Sequence, residues 1–313
     1  MHTIDLLTLG EAFEDLIFVG LERLPKPGEE VKTSEFVATV GGGAVITSVA
    51  AARLGLCCQI TSGLSASAAK RLRAEQVRVT NLRADDEPHA ITAALSTRAN
   101  RSFVTFNGIN DLLEPRLLRS LDGVKARHVH FAFYPRDCGA WQRIVEHLRG
   151  TGITTSWDFG WNEALLDDRR FPLLVNALDF VFINEQEAVL YSRRLDLRSA
   201  VDAWKAHPHN VVIKLGAKGS RWLSATTDVC APPARVKVVD TTGAGDAFNG
   251  GFLAAFLRGA SPKTCLRIGN FVGGMSTRVA GGLDALPRRE DVPDWDVVEE
   301  RAKAGASGSG RHA

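Results

Sequence analysis

The chain lacks several features that would point to other classes of protein. Its 38 lysines and arginines nearly balance its 36 acidic residues, so the formal net charge is only +2. No block of like charge stands out, and we therefore expect neither a nucleic-acid partner nor binding to an anionic membrane surface. No apolar run is long enough to span a membrane, and the first residues lack the basic region of a secretory signal. We expect a cytoplasmic protein.

Cysteine is scarce as well, which limits the covalent and metal chemistry of the chain. The five cysteines are odd in number and have neither Cys-x-x-Cys nor Cys/His ligand spacing; they are Cys57, Cys58, Cys138, Cys230 and Cys265. We expect free, buried thiols. With 313 residues, of which 45% are hydrophobic, the chain can form one large α/β domain with a small appendage.

The most informative stretch is DTTGAGDAFNGGF, residues 240–252. A β-branched run at residues 236–239 predicts a strand before it, and apolar residues with helical spacing predict a helix after it. The strand would pass to the helix through Gly243, Ala244 and Gly245. Such a turn suits an anion, because the first N–H groups of the helix are unpaired and lie at the positive end of its dipole.

Asp246, at the end of this turn, requires a separate explanation. A carboxylate would repel a phosphate bound to the turn, but it can accept the proton of a hydroxyl that attacks the phosphate. We therefore interpret the stretch as a phosphoryl-transfer site with its own base. The alternative is an ordinary helix start, at which Asp246 only stabilises the dipole.

The rest of the chain predicts a parallel sheet with polar residues at the ends of its strands. Asp15 follows the first strand, residues 4–9, and ligands of open parallel sheets collect at that edge. Later strands alternate with helices, and we place them at residues 127–132, 153–157, 180–183 and 210–215. Residues 184–187, NEQE, follow the third of these strands and predict a helix with a capping box.

Glycine-rich segments and one hairpin complete the pattern. Residues 41–43, GGG, precede a helix of small residues that should end at Gly55. A dinucleotide-binding fold is disfavoured, because GGG is not GxGxxG. Residues 214–220, KLGAKGS, predict a strand that turns into a hairpin. Two alternating segments, 91–95 and 101–106, predict another hairpin around the residues TRAN.

In this order, the segments resemble the ribokinase/PfkB family of carbohydrate and nucleoside kinases, and the resemblance covers nearly the whole chain. It implies an α/β fold, a ribokinase-like three-layer αβα sandwich with a mainly parallel central sheet and a small β-sheet lid. We expect one kinase domain at residues 1–300, with lid segments at approximately 11–40 and 90–110. The tail at residues 301–313 is expected to be disordered, because its small and polar residues cannot form a core.

The resemblance also implies ATP-dependent phosphorylation of a hydroxyl on a sugar or sugar-like small molecule. Asp246 would be the general base, and the N–H groups of Ala244, Gly245 and Asp246 in the turn that starts at Gly243 would form the anion hole. The implied acceptor-binding residues are Asp15, Gly41, Gly42, Asn110 and Asp158, and the implied ATP-binding residues are Asn184, Lys214, Gly216, Gly219 and Asn270. An alternative for Asp158 is to anchor its loop.

The resemblance has further implications for ions and assembly. Glu187 would hold Mg²⁺ partly through water, in keeping with the preference of this ion for oxygen ligands and retained water. Asp240 and Thr242 match positions that hold K⁺ in several family members, although both residues could instead simply cap the loop. A homodimer through the lid is also expected.

Two departures from the family concern the acceptor. Ile46 stands where the family has an asparagine that binds sugar hydroxyls, and the GxDxxG segment is absent. The alternatives are therefore a catalytically silent binding protein and a nucleoside kinase. For an active enzyme we expect an acceptor with an apolar face, because a site that loses a polar partner binds the matching hydroxyl poorly. The candidates for that face are Phe13, Phe106, Phe133 and Trp161, and those for contacting an anionic acceptor are Lys26 and Arg101.

Overall fold

The computed structural model describes residues 3–97, 101–206, 209–293, 295 and 298, and within them the strands form a sheet of nine and a smaller sheet of four. In chain order the strands are β1 (Ile4–Gly10), β2 (Phe13–Leu21), β3 (Glu35–Gly41), β4 (Cys58–Ser62), β5 (Arg78–Asn81), β6 (Ile91–Thr97), β7 (Arg101–Phe106), β8 (Ala126–Ala132), β9 (Thr154–Asp158), β10 (Phe180–Asn184), β11 (Asn210–Lys214), β12 (Ser220–Leu223) and β13 (Asp228–Ala231). The α-helices are α1 (Gly43–Arg53), α2 (Ala66–Ala74), α3 (Leu113–Ser120), α4 (Cys138–Gly150), α5 (Phe171–Ala177), α6 (Glu185–Ser192), α7 (Leu197–Lys205), α8 (Ala244–Phe256) and α9 (Pro262–Ser276).

The central sheet has the strand order β13-β12-β11-β10-β9-β8-β1-β4-β5. The strands from β11 to β5 in this order run parallel, and β12 and β13 are added antiparallel at one edge. The inner strands β1, β8 and β10 are almost wholly buried. The sequences of β1 and β10 are accordingly largely apolar, whereas β8 carries two buried histidines, His128 and His130. All the parallel strands therefore bring their carboxyl ends to one edge.

Helices cover both faces of this sheet. On one face α1, α2, α8 and α9 contribute to a single buried core, and on the other face α3 to α7 contribute to a second. The three-layer αβα sandwich and its mainly parallel sheet are confirmed.

The smaller sheet is the predicted lid, with the strand order β3-β2-β6-β7. Strands β2 and β6 pair in parallel, whereas β3 and β7 are antiparallel to their neighbours. The two predicted segments thus combine into one sheet, and strands β6 and β7 pair antiparallel from Ile91–Phe106 to Ser96–Arg101, as the predicted hairpin requires. Residues 98–100 lie outside the described residues, as does the predicted tail at 301–313.

The strand predicted at residues 236–239 is wrong. This segment is irregular, and the side chains of Val238 and Val239 are exposed. The N–H groups of Val239 and Asp240 both donate to the carbonyl of Thr277, so the loop after α9 holds the segment in place of a neighbouring strand. The antiparallel edge strand of the sheet is β13. The β-branched composition of residues 236–239 would favour a strand only where a pleated surface were available to pair with it.

The cysteines are free, as predicted, but not all of them are buried. Cys58, Cys138 and Cys265 are buried, Cys57 is half-buried, and Cys230 is exposed at the edge strand β13. Among the described helices, none is both long and apolar enough to cross a membrane.

Close packing of α1 against α8 fixes the two helix starts that border the site. At Gly250 in α8, a Cβ atom would lie 2.6 Å from the Cβ of Ala50 and 2.7 Å from the carbonyl oxygen of Thr47. The hydroxyl of Thr47 also donates to the carbonyl of Asp246 at 3.0 Å. The absence of a side chain at Gly250 therefore lets the two helices approach closely.

We expect Gly250→Ala to lower the free energy of unfolding by about 1–3 kcal/mol, the usual cost of overpacking a tight contact. Urea denaturation followed by circular dichroism measures the change. Gly150→Ala at the end of α4 is the matched control, because no atom of the surroundings lies within 4 Å of its Cβ position. Equal stability of the two variants would show that the α1–α8 contact tolerates a methyl group.

Candidate active site

The candidate site lies where the carboxyl end of the parallel sheet meets the lid. A cavity of about 240 Å³ opens between the lid strands β2, β6 and β7 and the N-terminal ends of α1 and α8. Its lining includes six of the site residues predicted from the sequence, namely Asp15, Gly42, Asp240, Thr242, Gly243 and Asp246. The predicted base and two predicted acceptor residues therefore face one space.

Helix α8 begins at the predicted glycine turn. Gly243 is its N-cap and adopts φ 71°, a left-handed conformation that favours glycine. The N–H of Ala244 donates to the carbonyl of Thr241 at 3.2 Å, so this predicted anion-hole donor is already used. The N–H groups of Gly245 and Asp246 have no acceptor within the described part of the chain. Two N–H groups of the turn remain for an anion.

Asp246 lies in the first turn of α8 and lines the cavity. Its carboxylate approaches the start of α1, where a Cβ on Gly43 would lie 2.9 Å from the Asp246 Oδ1 atom. The sequence pointed to Gly41 and Gly42 but not to Gly43, although all three belong to one GGG run. The missing side chain at Gly43 leaves room for the carboxylate beside the acceptor cavity.

Three carboxylates and one ammonium group form the charged centre of the site. Lys214 Nζ donates to Asp158 Oδ2 at 2.5 Å, and Asn249 Nδ2 donates to the same oxygen at 2.7 Å. Burial alone would raise the pKa of Asp158, but the Lys214 charge and these bonds hold it below its ordinary value. Burial, and then the charges of Asp158 and Glu187, raise the pKa of Asp246 to about 7 against the opposing charge of Lys214. Asp246 can therefore exchange a proton near neutral pH.

Asp158 itself lies outside the lining of the acceptor cavity. Its Oδ1 atom accepts the N–H of Gly160 at 3.3 Å, which fits the loop-anchor interpretation. Behind it, His130 is fully buried and shares a hydrogen bond of 2.7 Å with the hydroxyl of Ser156. Burial lowers the pKa of His130 to about 4, so this imidazole is neutral at pH 7. The layer under Asp158 is polar but carries no charge of its own.

Helix α6 begins with the predicted capping box. Asn184 Oδ1 accepts the N–H of Glu187 at 2.9 Å, and Glu187 Oε2 accepts the N–H of Asn184 at 2.8 Å. Asn184 Nδ2 also donates to Glu187 Oε1 at 2.6 Å. Burial, reinforced by the charge of Asp158, raises the pKa of Glu187 to about 7. Both carboxylate oxygens of Glu187 thus accept hydrogen bonds from Asn184 at the start of α6. The carboxyl group nevertheless lies close enough to Asp158 to interact with its charge.

The acceptor side brings three of the predicted residues together. Asp15 on β2 lines the cavity, and a Cβ on Gly41 would collide with its carboxylate. Gly42, the N-cap of α1, also lines the cavity with φ 103°. Burial raises the pKa of Asp15 to about 6. Asn110 lies elsewhere: it is buried outside the lining, and its Nδ2 donates to the carbonyl of Ala12 at 3.3 Å.

Ile46 faces both the acceptor cavity and the glycine turn. It lies in the first turn of α1 and is buried, and a Cβ on Gly243 would collide with its Cδ1 atom. The sequence departure at Ile46 therefore places an apolar group against the turn that precedes Asp246.

The predicted aromatic wall is only partly present. Phe13 lines the cavity, and Phe103 on β7, which was not predicted, joins it. Phe133 instead packs against Trp141 in the core beneath the sheet. Neither Phe106 nor Trp161 belongs to the lining, and both are exposed; Lys26 is also outside it.

Arg101 connects the lid to the segment before α8. Its guanidinium forms an ion pair with Asp240 and donates to Thr242 Oγ1 at 2.5 Å and to Thr241 Oγ1 at 3.0 Å. Asp240 is buried and also accepts the N–H groups of Thr242 at 2.8 Å and Gly281 at 3.1 Å. A guanidinium from the lid therefore contacts the two residues expected to bind K⁺, a contact that no local sequence pattern reveals.

The predicted ATP residues fall into two places. Gly216 and Gly219, with φ of 57° and 89°, form the turn between β11 and β12, and a Cβ on Gly219 would collide with the carbonyl of Ala231. Asn270 Nδ2 donates to the carbonyls of Ala231 at 3.2 Å and Pro232 at 2.8 Å. Asn270 also lines a shallow depression of about 170 Å³. Lys214, by contrast, lies in the charged centre.

Comparison of the whole chain with models of known protein families identifies its family. A model described as the pfkB family of carbohydrate kinases matches residues 3–289. The chain belongs to this family. The resemblance read from the motifs is confirmed, and with it the prediction that the protein is a carbohydrate kinase.

Individual relatives are distant but cover nearly all of the chain. An uncharacterized sugar kinase of Escherichia coli is 25% identical over 299 residues, which cover 91% of this chain and 92% of that protein. The structure of adenosine kinase from Sinorhizobium meliloti has a TM-score of 0.75 at 22% identity and covers 90% of this chain and 96% of its own. A ribokinase-like protein of Escherichia coli, solved with ATP and Mg²⁺, has a TM-score of 0.73 at 20% identity, with 95% and 99% covered. At these identities the structures show the ribokinase-like fold.

Proposed function

We propose that the protein transfers the γ-phosphoryl group of ATP to a hydroxyl of a sugar or sugar-like molecule. One observation carries the proposal: Asp246, with its pKa raised to about 7, lines the cavity and belongs to the turn at the start of α8 that has two open N–H groups. A base in this position can contact an acceptor hydroxyl while the turn binds the phosphoryl group that the hydroxyl attacks.

In the proposed reaction, the acceptor oxygen bonds to the γ-phosphorus as the bond between that phosphorus and the β–γ bridging oxygen breaks. The bridging oxygen keeps the electron pair and leaves with ADP, and the acceptor proton passes to Asp246. The N–H groups of Gly245 and Asp246 stabilise the charge on the transferring group. Asp15 orients the acceptor by accepting hydrogen bonds from its other hydroxyls.

Mg²⁺ fits the charges of this site. Burial is the main cause of the raised pKa of Asp246, and the negative charges of Asp158 and Glu187 add to it, so a divalent cation nearby would relieve their repulsion. The described residues contain no cluster of three His, Cys, Asp or Glu side chains that would hold a metal directly. Glu187 and Asn184 would therefore hold the ion through water, and Mg²⁺ would supply charge neutralisation to the phosphates.

A second surface, formed by the β11–β12 turn and the depression beside Asn270, is suited to the nucleotide. The β11–β12 turn with Gly216 and Gly219 lets a ribose and its phosphates approach the backbone, and the depression beside Asn270 is open to an adenine ring. This arrangement supports the ATP-binding roles expected of these residues.

The cavity favours a small, neutral acceptor with an apolar face. Its volume of about 240 Å³ lies below the roughly 300–1,000 Å³ of pockets for drug-sized ligands. Ile46, Phe13 and Phe103 contribute apolar surface to the lining that also contains Asp15. Arg101 is paired with Asp240, so it offers an anionic acceptor little unpaired charge. Because these side chains are apolar, a nucleoside, which has an apolar base, is the second candidate acceptor.

Three expectations stay predictions. Residues 1–300 are expected to act as one domain, and the location is expected to be cytoplasmic. A homodimer through the lid is supported by exposed apolar side chains on lid strands, such as Phe36, Val104 and Phe106. Light scattering, which gives the mass in solution, tests the homodimer.

Asp246→Asn should lower turnover by about 10²-fold or more, because an amide cannot accept the acceptor proton. Release of ADP in a coupled assay measures it. Asp122→Asn, at an exposed turn after α3, is the matched control. An Asp246→Asn variant with undiminished turnover would refute the role of the base.

The acceptor itself is identified by ADP release over a panel of sugars, sugar phosphates and nucleosides, with and without Mg²⁺. We expect Mg²⁺-dependent turnover of a neutral sugar-like compound or nucleoside. Binding of ATP without turnover of any acceptor would support the catalytically silent alternative instead.

The pH profile should have an acidic limb. The base is active only when ionised, so kcat/KM should fall as the pH drops through about 7, the raised pKa of Asp246. Burial also raises the pKa of Glu187 to about 7, so Glu187→Gln separates the two groups. If Asp246 causes the limb, it persists in this variant but moves to lower pH, because the Glu187 charge that helps to raise the pKa of Asp246 is gone. Its disappearance would assign the limb to Glu187.

A role for K⁺ at Asp240 and Thr242 depends on Arg101, whose guanidinium already contacts both residues. We expect wild-type turnover to change little when K⁺ is replaced by tetramethylammonium. Arg101→Met leaves a buried carboxylate unpaired, so turnover of this variant should become dependent on K⁺. Strong K⁺ dependence of the wild type would show that the ion binds beside Arg101.

Ile46→Asn should raise kcat/KM for free ribose by roughly tenfold, the scale of one restored hydrogen bond. Ile46→Val, which keeps the site apolar, is the control. Steady-state kinetics with ribose and with the best acceptor of the panel measure the change. Efficient ribose turnover by the wild type, unaffected by Ile46→Asn, would contradict the proposed effect of Ile46 on the acceptor.

A further inference from the structure

Lys214 has hydrogen-bonding capacity that its ion pair does not use. It ends β11, and its side chain is only 13% exposed. Nζ donates to Asp158 Oδ2 at 2.5 Å, which accounts for one of the three ammonium protons. Among the described residues no second acceptor lies within hydrogen-bond distance of Nζ. Two N–H donors of a nearly buried cation are therefore available to a ligand.

The ammonium group lies beside the turn that is open to an anion. A Cβ on Gly245 would lie 3.1 Å from Lys214 Nζ, so the missing side chain at Gly245 leaves a path between the two. The N–H groups of Gly245 and Asp246 are the two donors of this turn without an acceptor. An oxygen atom above Gly245 can therefore meet the ammonium and the backbone N–H groups together.

The charge of Lys214 is secure at neutral pH. Burial alone would lower the pKa of Lys214, but the neighbouring carboxylates of Asp158, Glu187 and Asp246 raise it above its ordinary value. An incoming phosphoryl group would meet three carboxylates here, and Lys214 is the cation placed among them. A phosphoryl oxygen can therefore gain a charge-assisted hydrogen bond at this position.

We propose that Lys214 is a catalytic residue that donates a hydrogen bond to the γ-phosphoryl group, before and during its transfer. The inference rests on the proposed function and makes the ATP-binding role implied for Lys214 specific to the group that is transferred. The acceptor oxygen bonds to the γ-phosphorus, the β–γ bridging oxygen leaves with ADP, and the acceptor proton goes to Asp246. Lys214 remains protonated throughout and stays close to Asp158.

A purely structural role of Lys214 predicts a different result for nucleotide binding. If Lys214 only neutralises Asp158, its loss disturbs the site without regard to the phosphate chain of the nucleotide. A contact with the γ-phosphoryl group instead distinguishes a nucleotide that has this group from one that lacks it. The comparison of AMP-PNP with ADP, both with Mg²⁺ and without acceptor, separates the two roles.

The experiment measures nucleotide binding to full-length Lys214→Met by isothermal titration calorimetry. We expect the Kd of AMP-PNP to rise by about 10- to 100-fold, the scale of a hydrogen bond to a charged group, while the Kd of ADP changes little. Lys205→Met is the matched control, since Lys205 also pairs with an aspartate, Asp228, at 2.9 Å but on the exposed surface. Equal changes for AMP-PNP and ADP, or no change for either, would overturn the proposal.

A second variant protects the test against misfolding. Lys214→Met alone leaves the buried Asp158 without its cation, so the double variant Lys214→Met/Asp158→Asn removes both charges. The same loss of discrimination between AMP-PNP and ADP is expected in the double variant, and normal discrimination there would overturn the proposal. Failure of the proposed function gives a separate signature: the wild type would phosphorylate no acceptor while Lys214 still distinguished AMP-PNP from ADP.

Discussion

Mutual repulsion among carboxylates at one edge of the sheet is the constraint around which the site is arranged. Parallel strands end at the same edge, which brings Asp158 at the end of β9 close to Glu187 on α6, the helix after β10. Helix α8, which follows an irregular segment, brings Asp246 to the same place. Lys214 offsets part of this charge from the end of β11. Burial of like charges is unfavourable unless cations or helix dipoles compensate, and the pKa of Asp246, raised to about 7, records the imbalance that remains. A base for neutral pH thus follows from the topology.

The lid contributes to the same site through a second charge pair. Asp240 is buried beside the glycine turn, and the guanidinium of Arg101 reaches it from β7. Because Arg101 also contacts Thr241 and Thr242, the position of the lid and the order of the segment before α8 are linked. One guanidinium thus joins the small sheet to the segment that leads into the glycine turn.

The sequence predicts those parts of the site that rest on local backbone chemistry. The glycine turn at Gly243 and the capping box of Asn184 and Glu187 depend on neighbouring residues, and both are present. Contacts between distant segments follow from no local pattern: Lys214 and Asp158 are 56 residues apart, and Arg101 and Thr242 are 141 apart. The strand predicted at residues 236–239 failed for a related reason, because strand formation requires a partner that propensity alone does not supply.

The proposed catalytic groups and the apolar walls of the cavity lie on different elements of this fold. The proposed base and the open N–H groups belong to α8, whereas the apolar walls come from α1 and the lid. Ile46 belongs to the wall of the cavity and packs against Gly243, the N-cap of α8. The departures from the family pattern fall on the acceptor side, while the charged centre keeps a carboxylate able to take up a proton near neutral pH. This separation favours an active kinase with an altered acceptor over a catalytically silent one.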